Sequence, residues 1–248
     1  MNINNDWPCL SEMPNGIDLN YLAPLVARQA KDVPSEALVN RISRGRFTVS
    51  SLANQVESWV VGGFPLDHDG SLTGKHHSSN YHSSSLFKPG VHKSLLKRLD
   101  TGKTAGPFAW SGNVDDLPFS DCAINPIGAV RYKYEPDRAR ACDDPFINCA
   151  ISPPSFSMPA IEQLREGAFP YCSWAKTDVA AAFPCMQLKQ EDLPWMLFTW
   201  YAPEDVDFQG TDQDCLYVHT HGNFGPRPWP FQFSMLMLYV NIAAKILD

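Results

Sequence analysis

A chain of 248 residues can bury roughly 70–75% of the surface its unfolded form exposes, so it needs neither disulfides nor a structural metal to hold a core. Its seven cysteines, Cys9, Cys122, Cys142, Cys149, Cys172, Cys185 and Cys215, are odd in number and form no C-x-x-C pair, which reads as free thiols in a reducing interior rather than a zinc finger. A net charge of −7 argues against a protein that grips nucleic acid through bulk electrostatics, since phosphate neutralisation shows as a basic face.

The first 20 residues carry Pro, Asn, Asp and Gly without periodicity and read as an irregular arm. Leu22, Leu25, Val26, Ala30, Leu38 and Val39 keep helical spacing in part, interrupted by Pro34, so one helix and a short second one are expected. From Asp67 to Ser85, "DHDGSLTGKHHSSNYHSSS" has too few apolar residues to pack and reads as a mobile loop. The histidines His68, His76, His77, His82 and His92 have neither the spacing nor a stable element beneath them for a metal set and read as solvated loop side chains.

"VHKSLLKRL", Val91 to Leu99, reads as a short helix with Lys93, Lys97 and Arg98 exposed. Ile127–Val130 and Arg138–Cys142 flank "RYKYEPD", a β-hairpin with turn chemistry at Glu135, Pro136 and Asp137. Ser157–Gly167 reads as a helix and Tyr171–Val179 as a strand. Met196–Tyr201 and Leu216–His219 are candidate strands joined by the acidic loop "APEDVDFQGTDQD". The apolar run from Trp229 to Leu247 includes Pro230, Gln232, Ser234, Asn241 and Lys245 and reads as a core helix, not a membrane anchor. No charged-then-apolar leader opens the chain, and an intracellular protein, cytoplasmic or nuclear, is expected.

Three segments carry chemistry. Lys133 and Arg140 flank the hairpin turn; they could hold a polyphosphate, Arg through its planar fork and Lys as a point charge, or be ordinary surface cations. Asp178 closes an apolar strand and is followed by small residues, a setting for a Mg²⁺ ligand or, equally, for a helix N-cap. In "HGNFGPRPWPFQF", His221 to Phe233, Gly222 and Gly225 permit close backbone approach and Pro230 falls in a helical first turn. That segment is either part of a site or a loop leading into a core helix. A hydrolase is disfavoured, because no Gly-x-Ser-x-Gly elbow occurs.

Taken in order, "LLKRLDTGKTAGPF", "INPIGAVRYKYEPDRARACDDPFINCAI", "AKTDVAAAFPCMQL" and "YVHTHGNFGPRPWPFQFS" resemble successive blocks of reverse transcriptases, most closely those of DIRS-like, tyrosine-recombinase retrotransposons. The resemblance covers about Leu95 to Asp248. It implies an α+β fold of reverse-transcriptase-like fingers plus a partial palm, an antiparallel sheet packed on helices. Residues 1–40 would form an N-terminal arm with a helix, residues 41–170 a fingers-like region including the loop at 67–85, and residues 171–248 the partial palm.

The resemblance also assigns roles. Lys133 and Arg140 match the fingers cations that grip an incoming triphosphate, Asp178 the first metal-binding aspartate, Val179 the residue whose carbonyl faces the metal, and Phe183 the aromatic gate against a ribose 2′-hydroxyl. Asp144, Asn148, Phe224, Gly225, Arg227 and Pro230 match residues that support template, primer and the nascent base pair. Implied ligands are Mg²⁺, a dNTP and an RNA or DNA template-primer. The chain departs from the pattern at Asn223, which replaces a proline, and at Pro226, Pro228 and Trp229. The Y-x-D-D block that would complete the metal site is missing from residues 1–248. A single carboxylate cannot hold two metal ions for in-line displacement. The expectation is therefore a truncated or decayed copy, inactive as this chain and prone to self-associate through an exposed sheet edge. The alternative is a non-catalytic nucleic-acid or protein interaction module.

Overall fold

A computed structural model describes residues 17–133, 135–156 and 182–244. Three helices open the described chain: α1 (Leu19–Gln29), α2 (Val33–Ser43) and α3 (Val49–Gly62). Each starts where a short polar side chain takes up an orphan N–H. Asp18 accepts from Tyr21 N, Asp32 from Ser35 N, and Thr48 forms a reciprocal box with Ser51. Pro34 begins α2 rather than breaking it, because its missing N–H is one of the helix's unpaired donors anyway. Val49, Leu52, Val56, Trp59 and Val60 form the buried stripe of α3.

The stripe packs against the last helix, α6 (Trp229–Ala244), which buries Trp229, Phe231, Met235, Leu236, Leu238, Tyr239, Ile242 and Ala243. A helix apolar on nearly all sides belongs in a core. No helix among the described residues is long and apolar enough to cross a membrane.

A five-stranded sheet lies beside the helices. Its strands are β1 (Lys75–His77), β2 (Thr104–Phe108), β3 (Cys122–Ile124), β6 (Leu197–Trp200) and β7 (Cys215–His219), in the order β1-β3-β6-β7-β2. The sequence reading expected an antiparallel sheet; the structure has a mixed one. β6–β7 and β7–β2 are antiparallel, whereas β1–β3 and β3–β6 are parallel. Partner choice depends on long crossovers, which local patterning does not encode. Both edge strands are short, and a register shift between Ala105 and Phe108 interrupts β2.

Alternation in the central strands builds two cores. Leu197, Leu216 and Val218 join the helix-side core, while Phe198, Trp200 and Tyr217 join a second one with Val91, Leu95 and Ile127. Fully burying each large apolar side chain stabilises the fold by about 1.5–3 kcal/mol. The second core lies under α5 (Lys88–Asp100), the helix expected at Val91–Leu99, and under a separate hairpin of β4 (Ile127–Tyr132) and β5 (Glu135–Asp143).

The hairpin turns earlier than expected. Tyr132 pairs with Glu135, so Lys133 lies in the turn, and the register slips before Arg131 pairs with Ala139. Pro136 falls in that slip, where a residue with no N–H for the ladder is tolerated.

Part of the stretch read as a loop has a structural task. Besides β1 it forms α4 (His82–Leu86), and its polar side chains cover the outer edge of β4. Ile127 N donates to Asn80 Oδ1 (2.8 Å), Ala129 N to Ser83 Oγ (3.1 Å) and Tyr81 N to Ile127 O (3.0 Å). Edge groups that would otherwise invite another strand are thereby satisfied.

Candidate functional site

A cleft of about 1010 Å³ opens between α5, the hairpin and the ends of the central strands. Its apolar floor is Val91, Leu95, Ile127, Phe198 and Trp200, residues of the second core. Among the described residues, Lys93, Lys97, Arg98, Lys103 and Arg140 contribute five cations to its lining, against the single carboxylate of Asp143. A chain of net charge −7 therefore concentrates positive charge in one concavity, where field lines focus.

Helical spacing explains the cationic wall: Lys93 and Lys97 are four residues apart on α5 and share a face. On the opposite wall the Arg140 guanidinium lies over the Phe224 ring at 4.5 Å and the Tyr132 ring at 5.2 Å. Phe224 meets Phe183 edge-on (centroids 5.6 Å), and Phe183 meets Phe233 (5.9 Å). Aromatic faces beside cations suit a ligand with both phosphates and bases.

The loop bearing Phe224 is pinned from two sides. Asn148 Nδ2 donates to Gly225 O (3.0 Å), and Arg227 N donates to Asn148 Oδ1 (2.9 Å). Gly225 has φ +148°, and a Cβ there would overlap the carbonyl oxygen of Asp143. Gly222 is similarly pressed against the Phe183 carbonyl. Both glycines serve the close backbone approach expected of them.

The structure thus brings together Arg140, Asn148, Phe183, Phe224, Gly225 and Arg227 around one rim. Pro230 lies in the first turn of α6. Two expected residues sit elsewhere. Lys133 is in the exposed turn of the hairpin and does not line the cleft. Asp144 is exposed and accepts from the Tyr81 hydroxyl (2.5 Å) rather than facing the cleft. Asp178 and Val179, with the helix and strand read at Ser157–Gly167 and Tyr171–Val179, lie outside the described residues.

What the sequence reading passed over is a buried polar cluster at the cleft's base. The side chains of Asp143 and His219 are only 6% and 7% exposed, with Asp143 Oδ1 3.0 Å from His219 Nε2. Asn223 Nδ2 donates to Asp143 Oδ2, and His219 Nδ1 is 3.2 Å from Thr104 Oγ1. Arg98 Nε donates to that same hydroxyl oxygen (3.2 Å). Burial pulls the Asp143 carboxyl upward, but His219, Arg98 and Asn223 outweigh it and hold it below the ordinary carboxylate value. Burial, aided by Arg98 and opposed by Asp143, keeps His219 below the usual imidazole range. Burial likewise lowers Lys103.

These residues do not fit a Mg²⁺ site. Asp143 has both oxygens committed, and among the described residues no group of three His, Cys, Asp or Glu side chains could hold a metal.

No family model matches the chain, and neither does any curated protein sequence. Among solved structures, it is similar to the foamy viral protease-reverse transcriptase in complex with double-stranded DNA, at 13% identity and a TM-score of 0.48. That match covers 82% of this chain and 34% of the other, so the chain spans about a third of that protein's length.

Proposed function

We propose that the chain is a reverse-transcriptase-like fingers and partial palm whose cleft binds the phosphate backbone and bases of a template-primer, with a dNTP as the implied small ligand. The observation that carries this reading is the grouping of five cations with the Phe224–Arg140 stack in one cleft of an acidic chain. The ordered sequence blocks point to the same place. In this reading Arg140, Lys97 and Lys103 neutralise phosphates, Phe183 and Phe224 provide the stacking surface, and Asn148 holds the loop beneath it. Asp178 would be the Mg²⁺ ligand; in sequence it precedes Ala182, a residue of the cleft wall, by four positions. Residues 1–248 hold no Y-x-D-D block, so this chain alone is proposed to bind without polymerising.

Fluorescence anisotropy with a labelled primer-template at 50 and 200 mM salt tests the reading. With Arg98 held in the buried cluster, up to four neutralised phosphates, at Lys93, Lys97, Lys103 and Arg140, give a slope of log K against log salt near −4, a loss of about 10²-fold across that range. No binding at 50 mM, or binding indifferent to salt, would refute it.

A second reading, a non-catalytic interaction module, is favoured by one feature. The cleft's carboxylate is fully occupied by His219 and Asn223, so the described lining attracts anions without offering a base or a metal ligand. Nucleotide incorporation by the isolated chain would remove this reading.

A further inference from the structure

The polar cluster under the cleft joins five separate segments: Asp143 from the end of β5, His219 from the end of β7, Thr104 from β2, Arg98 from α5 and Asn223 from the loop before α6. Both imidazole nitrogens are engaged, so His219 cannot act on anything in the cleft. Its proton inventory is nonetheless fixed. Asp143 is a carboxylate and only accepts, so Nε2 carries the hydrogen; Nδ1 then accepts the Thr104 hydroxyl proton. The hydroxyl's lone pair takes the Arg98 Nε–H. Each donor in this line has one acceptor, and the order holds only for neutral, Nε2-protonated His219.

We propose that this cluster is a pH-sensitive latch that fixes the root of the β4–β5 hairpin to the sheet and lets it loosen when His219 takes a second proton. A proton on Nδ1 turns an acceptor into a donor. The Thr104 hydroxyl, 3% exposed, then loses its acceptor in a place closed to bulk solvent. A second cation also appears beside Arg98. Among the described residues, Asp143 from β5 and Arg98 from α5 are the charged groups facing His219; β6 presents only the Phe198 ring, stacked at 4.3 Å.

The released form binds protons more tightly than the latched one, so the latch holds above about pH 6.5 and weakens as pH falls. Asp143 N also donates to Phe224 O (2.8 Å), so loosening the root disturbs the aromatic rim of the cleft. The latch does not depend on what the cleft binds.

The test follows the full chain by NMR from pH 8 to 4.5, reading the His219 ring nitrogens together with amide protection corrected for intrinsic exchange. At pH 8 the ring shows the Nε2–H tautomer. On acidification the ring titrates below pH 6.5, and protection of the Asp143 amide falls about tenfold, the loss of roughly one buried hydrogen bond, while β6–β7 amides stay protected. T104V removes the donor to Nδ1 and raises the midpoint by about one pH unit. If T104V does not fold, the wild-type titration decides. A ring that does not titrate, an Nδ1–H tautomer, unchanged Asp143 protection, or simultaneous loss across the sheet each overturns the latch.

Discussion

Gly225→Ala isolates the packing of the cleft's rim. At φ +148° an L side chain is strained, costing about 1–3 kcal/mol. The new Cβ would also overlap Asp143 O and lie 2.9 Å from Pro145 Cδ, so the backbone must shift. That shift breaks or stretches the Asp143 N to Phe224 O bond (2.8 Å) and the Asn148 bond to Gly225 O (3.0 Å), each about 0.5–1.5 kcal/mol. Together these amount to about 2–6 kcal/mol. With a urea m value of about 3 kcal/mol/M for a chain of this size, a 3 kcal/mol loss moves the midpoint by about 1 M. Urea unfolding followed by tryptophan fluorescence reads this directly. A midpoint within ~0.2 M of the parent, at unchanged m, would show that the close approach is not a constraint and refute the account of this loop.

Four further outcomes are expected. Asn125, 2% exposed, donates to Trp195 O (2.7 Å) and Leu197 O (3.2 Å) and accepts from Phe146 N (2.8 Å). Asn125→Ala orphans these groups, costing about 2–4 kcal/mol and lowering Tm by roughly 6–12 °C in a thermal melt. Burial raises the Asp192 carboxyl above its ordinary value, with the Leu66 N–H and His68 opposing. Its ionised form is thus penalised in the fold, and stability gains as pH falls from the folded value toward the unfolded one. Asp192→Asn keeps an acceptor for Leu66 N, so it is as stable as the parent or more so at pH 7; a loss above ~1 kcal/mol there contradicts this. In DNA titrations Arg140→Ala reduces the salt slope by about 1. Phe224→Ala weakens binding by about 1–3 kcal/mol at unchanged slope.

Elements with their own periodicity were legible in the sequence. The α5 helix, the β6 and β7 strands and the apolar α6 each carry enough pattern within ten to twenty residues to declare themselves. What escaped depends on a distant partner. The polar stretch around Asn80 and Ser83 lacks apolar residues because its work is to satisfy N–H groups 46 and 47 positions later, and composition alone reads that as solvent-facing loop. The parallel pairings of β1–β3 and β3–β6 escaped for the same reason.

The buried acid is different, because a local signal for it was present. In "RARACDD", Ala139, Ala141 and Asp143 fall at a spacing of two, so they share one face of β5, which ends at Asp143. A carboxylate on the face that otherwise carries small apolar residues is costly unless something meets it. The same reasoning singled out Asp178 from its strand. Applied one hairpin earlier, it selects Asp143 over its neighbour and requires a buried donor opposite it, which His219 and Asn223 supply. Family spacing pointed to Asp144 because it aligns letters; alternation points to Asp143 because it follows which way a side chain can face. Where the two disagree at a strand end, the geometric rule should be preferred.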